Sequence, residues 1–391
     1  MQKQQLRLAQ PEPKPAEASP PKSRFANHIA ALQTQPSQAA SRWQPSSKRR
    51  NIWLFGLLIV LSMVGVVLSL TWSSVDIPLS SVADILLGRP TAQPAWRTII
   101  VDIRLPRIIT AILVGMALGL AGLQLQTIFR NPLAEPFTLG VSSGASLGVA
   151  LVILLAPSSG ISFAALGSNV FGNLGTVGSA IVGGLSVLGI MMVVASRVRD
   201  MTIILLLGVI LSAMTYALVT VLIFFANESQ TRAFVEWQLG SFTRVRWGEL
   251  RYFVPVTVIG ALIACLTTKH LNALLLGEHY AQSSGINVQR ARWIIMGSAS
   301  IMAGTVVAYA GPIGFVGIAI PHLARGLFKT SDHRVLVPAT ILTGIPFALA
   351  CGILAEVPSS SLQLPIDAAT SLFGAPVAAW VLLRMKRGAW M

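Results

Sequence analysis

The residues able to carry chemistry are few and far apart. Five histidines, His28, His270, His279, His322 and His333, include no His-Glu-x-x-His pair, so the helical zinc-hydrolase arrangement is absent. Cys265 and Cys351 both lie in apolar runs, with neither metal-ligand spacing nor a disulfide framework, and are expected to pack rather than react. No Gly-x-x-x-x-Gly-Lys-Ser/Thr sequence is present to cradle nucleotide phosphates, so ATP would have to be handled on another chain. An intramembrane enzyme would need an acid, base or nucleophile constellation, and none assembles from these spacings. A carrier driven by protons or sodium keeps ionisable groups at membrane depth. The apolar runs hold essentially none, with Asp367 at the edge of the last. The expectation is therefore no catalysis, no metal and no cofactor, but a passage whose energy comes from a partner.

The elements that would form such a passage follow from composition. The chain has 391 residues, is 53% hydrophobic and only 11% charged, and has a mean hydropathy of +0.69. That composition makes the bilayer the default solvent. Ten runs are long enough to be spans, near 52–72, 108–129, 139–156, 177–198, 201–226, 253–268, 293–310, 313–327, 336–354 and 366–383. The fold class expected is an all-α integral membrane protein with ten transmembrane helices. With the N-terminus inside, most of the 29 basic residues fall on cytoplasmic connections, which puts both termini in the cytoplasm. The net charge of +15 then records topology, and no nucleic-acid partner is expected.

Residues 1–51 form a tail with seven prolines, nine basic and two acidic residues, expected to be disordered, and residues 52–391 form the membrane domain. The longest polar interruption, 274–292, must sit in water at the cytoplasmic face. Within it Glu278 to Ser284 reads as a short helix, stopped by Gly285. Two turns of helix are marginal alone, so the stretch is either a solvated turn or a helix that docks on a partner. Residues 130–136 read as a rigid elbow in which Asn131 caps a turn, Pro132 takes the first helical position and Pro136 ends it. Arg104 and Arg107 stand at the mouth of the second span, as lipid-headgroup anchors or as docking points for a carboxylate-bearing partner outside. Gly115 with Gly119, and Gly140, Gly144 and Gly148, repeat at intervals of four and predict close helix packing. Asn227 to Tyr252, with Phe234, Trp237, Phe242 and Trp247, reads as a segment on the outer interface with its rings at headgroup depth, or equally as one that meets another protein.

Six sequences taken together carry a resemblance: IRLPR (103–107), RNPLAEPFTLGVSSGASLG (130–148), LLLGEHYAQSSGINV (274–288), GPIGFVGIAIPHLAR (311–325), DHRVLVPA (332–339) and LPIDAATSLFGAP (364–376). In order and spacing the chain resembles the FecCD-type permeases, the membrane subunits of type II ABC importers for iron-siderophores, haem and vitamin B12. The resemblance implies a bacterial cytoplasmic-membrane subunit that pairs with a second copy or a paralogue. Two separate ATPase subunits would bind inside and a substrate-binding protein outside, with an iron-siderophore carried by ATP-driven alternating access. Haem or cobalamin are the alternative cargoes, and an ion-coupled secondary transporter is the alternative class. It further implies that Gly277, Glu278, His279, Tyr280, Ala281 and Gly285 form the coupling helix. Asn131 and Leu133, with Met201 and Thr202, would form the cytoplasmic gate. Arg104 and Arg107 would meet glutamates of the binding protein. The chain departs from the pattern at Glu356, where an arginine is expected, and at Gln363, where a glutamate is expected.

Overall fold

The structure is a computed structural model that describes residues 46–385, apart from 74, 91–92, 138–139, 156–170, 199–200 and 357–362. The tail expected over 1–51 thus lies almost wholly outside the described residues. Helix α1 (Ser46–Thr71) begins ahead of the span read from sequence. A short α2 (Leu79–Leu86) follows, then α3 (Pro94–Phe129), which is continuous for 36 residues and π-helical over Ile99–Arg104. The sequence IRLPR therefore does not open a helix. It lies inside one, and Pro106 is accommodated just beyond the π-helical stretch, in the first turn of the α-helical part.

Next come α4 (Val141–Ala150), closing in a π turn at Leu151–Leu155, α5 (Phe171–Arg197) and α6 (Met201–Phe225). They are followed by α7 (Glu228–Gln238), α8 (Trp247–Leu266), α9 (Thr268–Leu276) and the six-residue α10 (Glu278–Ser283). The chain ends with α11 (Val288–Ala310), α12 (Val316–Phe328), α13 (His333–Leu354) and α14 (Ile366–Met385). Among the described residues six helices are long and apolar enough to cross a membrane, and four shorter apolar helices lie at 141–154, 175–191, 316–328 and 366–381.

Helix α3 is the axis of the bundle. It is buried along most of its length against α11, α12 and α13, whereas α1 and α6 leave most of their apolar surface uncovered. Glycine makes the close approaches possible. A Cβ on Gly122 would land on the backbone of Gly317, one on Gly115 on Gly344, and one on Gly148 on Ser179. Of the glycines repeating at intervals of four, Gly115, Gly144 and Gly148 are contact points between helix backbones, where dispersion replaces a hydrophobic driving force that lipid does not supply, whereas Gly119 meets the side chains of Ile320 and Thr340.

Two expectations change. The rings of Phe234, Trp237 and Phe242 are not offered to the outside of the bundle. They are buried in the protein, with Phe234 stacked on Trp237. Trp247 alone is exposed, and its Nε1–H donates to Val101 O at 2.9 Å. Charges just outside the apolar runs are also drawn inward, because Arg104, Arg107, Glu135 and Glu356 are buried.

Gly122→Ala should be destabilised by about 1–3 kcal/mol, the usual range for an overpacked site. Gly297→Ala, where nothing lies within 4 Å of a new Cβ, should be neutral or slightly stabilised. Thermal melts of the two variants in detergent check the pair, and equal midpoints would remove the close-approach account.

Candidate functional site

The residues expected to couple to a partner surround an open groove of about 1040 Å³. Gly277, at φ 127°, breaks α9 from α10, and Gly285, at φ 80°, ends the short helix, so both hold conformations in which a side chain would be strained. Between them Ala281 is fully buried and anchors α10, Glu278 and His279 line the groove, and Tyr280 is exposed there. Glu278 is held by an ion pair with Arg292 on α11. The helix read from the sequence is therefore present, and it is braced rather than hanging free.

The elbow lies beside it. Arg130 takes the left-handed conformation that ends α3 at φ 46°, and its guanidinium donates to Leu274 O at 3.1 Å, at the end of α9. Asn131 does not cap a helix, since 131–137 contains none. Its Oδ1 accepts the Leu133 N–H at 2.9 Å, and its carbonyl accepts from Ala134 N at 3.1 Å, which closes a compact turn. The next carbonyl, of Pro132, lies 2.8 Å from Nε2 of His322 on α12. Leu133 is half-buried. Met201 and Thr202 open α6, and their side chains lie outside the described residues.

A second tie was not foreseen. Asn272 on α9 donates from Nδ2 to Asp332 Oδ1 at 2.7 Å, so its carbonyl oxygen faces His333. There it accepts from the His333 backbone N–H at 2.9 Å and from Nδ1 at 2.7 Å. The other ring nitrogen, Nε2, lies 2.8 Å from Thr127 Oγ1 on α3. Burial pushes the Asp332 carboxyl up, but hydrogen bonds from the Arg334 N–H and the Asn272 amide hold it below the usual carboxylate range. One imidazole thus joins α9, α3 and α13 immediately before the groove. The sequence signal was DHR at 332–334, which reads as a cap, and Asp332 does accept the Arg334 N–H at 2.9 Å.

Arg104 and Arg107 belong to the opposite end and are turned inward, only 1% and 6% exposed. Arg104 donates to the carbonyls of Leu70 and Val75, at and just beyond the end of α1, satisfying groups a helix terminus leaves open. Arg107 forms a buried ion pair with Glu356, which itself bridges to Gln363. Both guanidiniums thus already have partners within the chain, Arg104 among backbone carbonyls and Arg107 at Glu356. The departure at 356 is the same fact seen from the other side, since Glu356 is the partner of Arg107.

Apolar helices long enough to cross a membrane, packed closely through glycine and carrying a short helix braced by an ion pair, define a multi-pass helical membrane bundle. The chain belongs to the FecCD transport family, whose description matches residues 59–384. It is 35% identical over 343 residues to the vitamin B12 import system permease protein BtuC of Klebsiella pneumoniae, covering 87% of this chain and 96% of that one. It is 32% identical over 334 residues to the hemin transport system permease protein HmuU of Yersinia pestis, covering 85% and 96%. The molybdate import system permease protein MolB of Haemophilus influenzae matches at 32% over 342 residues, covering 86% and 96%. Among solved structures, an inward-facing metal-chelate type ABC transporter superposes with a TM-score of 0.71 at 32% identity, covering 85% of this chain and 98% of that one. The chain is accordingly an ABC importer permease subunit and a multi-pass membrane protein.

Breaking a buried ion pair leaves an uncompensated charge, at a cost of about 3–5 kcal/mol, whereas replacing both partners with apolar groups is close to neutral. Arg107→Met alone should therefore lower the thermal midpoint strongly, and adding Glu356→Leu should restore it. A single variant that melts like the parent would show that Arg107 does not brace this end.

Proposed function

We propose that the chain is the permease of a binding-protein-dependent importer that carries a ferric siderophore by ATP-driven alternating access. On this reading ten helices cross the bacterial cytoplasmic membrane with both termini inside. A second copy or a paralogue completes the passage. Two ATPase subunits seat on the grooves around α10, and a substrate-binding protein meets the far end. The observation that carries the proposal is α10 itself, a six-residue helix set off by Gly277 and Gly285, anchored by Ala281 and tied through Arg130 and Leu274 to the elbow. A partner moving that helix pulls on the elbow and, through Asn272 and His333, on α3 and α13.

The metal-chelate neighbour supports a chelated metal as cargo. Haem and cobalamin stand as alternatives because relatives of similar identity are named for them. An ion-coupled carrier loses support from the same kinship. Asn131 and Leu133 are assigned to the narrowing at the inner end, with Met201 and Thr202 across from them. Arg104 and Arg107 are assigned to holding the outer end in shape, so that a binding protein would dock on the surface they support.

Replacing Gly277 to Ala281 with a flexible Gly/Ser linker should abolish co-purification of the ATPase while the permease remains inserted. Recovery of the ATPase in undiminished yield would sink the coupling assignment.

A further inference from the structure

Serines on α4 face a small cavity that nothing in the coupling machinery uses. It has a volume of about 120 Å³ and is lined by Ser142, Ser143 and Ser146 of α4, Tyr216 and Val219 of α6, and Gln238 at the end of α7, among others, with no charged residue. Hydroxyls elsewhere on α6 are satisfied along their own helix: Ser212 donates to Gly208 O at 2.9 Å, Thr215 to Leu211 O at 3.0 Å and Thr220 to Tyr216 O at 2.9 Å. Ser142 is different. It is only 2% exposed, and its Oγ has no hydrogen-bond partner among the described residues. A buried hydroxyl left in that state costs on the order of 1–3 kcal/mol until something meets it.

Tyr216 stands beside it and is 69% exposed, as is much of the α6 face around it, including Met214 and Leu218. A phenol, a carboxamide and three serines gathered on one otherwise apolar surface are poorly suited to lipid tails, which offer polar groups no partner. They suit a wall that meets water and a passing solute. The groups there donate and accept, but none carries charge. A carboxylate or oxyanion entering would lose its hydration without meeting a cation. An amide or hydroxyl arm would exchange its water hydrogen bonds for equivalent ones, and 120 Å³ holds such an arm rather than a whole chelate.

We infer that the notch between α4 and α6 is a transit subsite for a neutral, amide- or hydroxyl-bearing arm of the solute, with Ser142, Ser146 and Tyr216 as its specificity-determining contacts. The inference rests on the importer reading above and narrows its cargo. It selects uncharged chelates whose surface is amide or hydroxyl over small oxyanions and dicarboxylates.

The test uses the complete importer, permease with its ATPase and binding protein, in proteoliposomes. Uptake is measured for cyanocobalamin, a ferric trihydroxamate, haemin and molybdate. One or both of the first two should accumulate, and the others should not. For the transported solute, S142A/S146A/Y216F should lower the number of molecules moved per ATP hydrolysed at least fivefold. Accumulation of haemin or molybdate, or an unchanged ratio in the triple variant, would overturn the subsite. Because that variant changes three groups at once, S146C in a C265A/C351A background provides a second reading. A hydrophilic thiol reagent should modify the new thiol quickly in the assembled importer and at least fivefold more slowly during turnover. An unreactive thiol would place this face against lipid or a second subunit and overturn the inference. If none of the four solutes accumulates while ATP is hydrolysed, the proposed cargo class falls, and the subsite with it.

Discussion

Hydrocarbon offers no hydrogen-bond partner, and most of this structure is a response to that constraint. Backbone polarity is consumed within helices, and where a helix ends inside the bundle a specific group closes it. Arg104 meets the carbonyls of Leu70 and Val75 past the end of α1, and Asp367 accepts the Gly314 N–H at 2.8 Å in the extended stretch ahead of α12. Gln126 donates to Gly317 O at 3.1 Å and accepts from Arg325 at 2.5 Å, so one side chain serves both a backbone carbonyl and a guanidinium. Irregular backbone at 311–315 is tolerated because protein surrounds it. The same constraint explains the glycines. With no hydrophobic gain from helix association in lipid, close backbone contact supplies the attraction instead.

This also sets what the sequence could disclose. Spans are local properties, and the apolar runs mark the helices that carry them. The break at Gly277, the short helix and the stop at Gly285 are equally local, since each needs only its own residues and their allowed dihedrals. What escaped were relationships between distant positions. Arg107 finds Glu356, 249 residues on, and Thr127 finds His333, 206 on. No periodicity encodes either pairing. Arg104 and Arg107 therefore read as surface charges, since a charge at the mouth of a span looks the same whether it turns out or in. The aromatic residues of 234–242 misled for a related reason. Rings in a polar segment fit an interface, and only the packing of α7 shows that they face the protein. The elbow erred by one motif. Asn and Pro in succession serve a helix start and an Asx turn alike, and Arg130 in the left-handed conformation, hydrogen-bonded across to α9, belongs to the turn.

The two ends of the bundle are held differently, which bears on how it would work. At the end away from the groove, Arg107 and Glu356 form a buried pair whose separation would be costly, so this region resists rearrangement. At the groove, the ties are neutral or partly exposed hydrogen bonds through Arg130, Asn272 and His333, each modest on its own. Between them α3 touches α12 and α13 at glycine contacts with no slack. A helix seated that closely cannot bend independently of its neighbours, so displacement at the groove passes along α3 as movement of a body.

If movement is of whole helices, the wall of the passage need not change its chemistry between states, only its access. This makes the neutrality of the α4 and α6 surface more than a compositional detail. A fixed cation along the route would hold an anionic solute in both states and oppose its release. Hydroxyls and amides bind weakly enough, at about 0.5–1.5 kcal/mol each, to be exchanged with water at every step. Among the described residues the buried charges lie off that surface, at Arg104, Arg107, Glu135, Arg292 and Glu356, each engaged with the protein itself. On the proposed subsite, segregating charge into the scaffold and hydroxyls into the wall lets one bundle be stiff where it is braced and non-adhesive where the solute would pass.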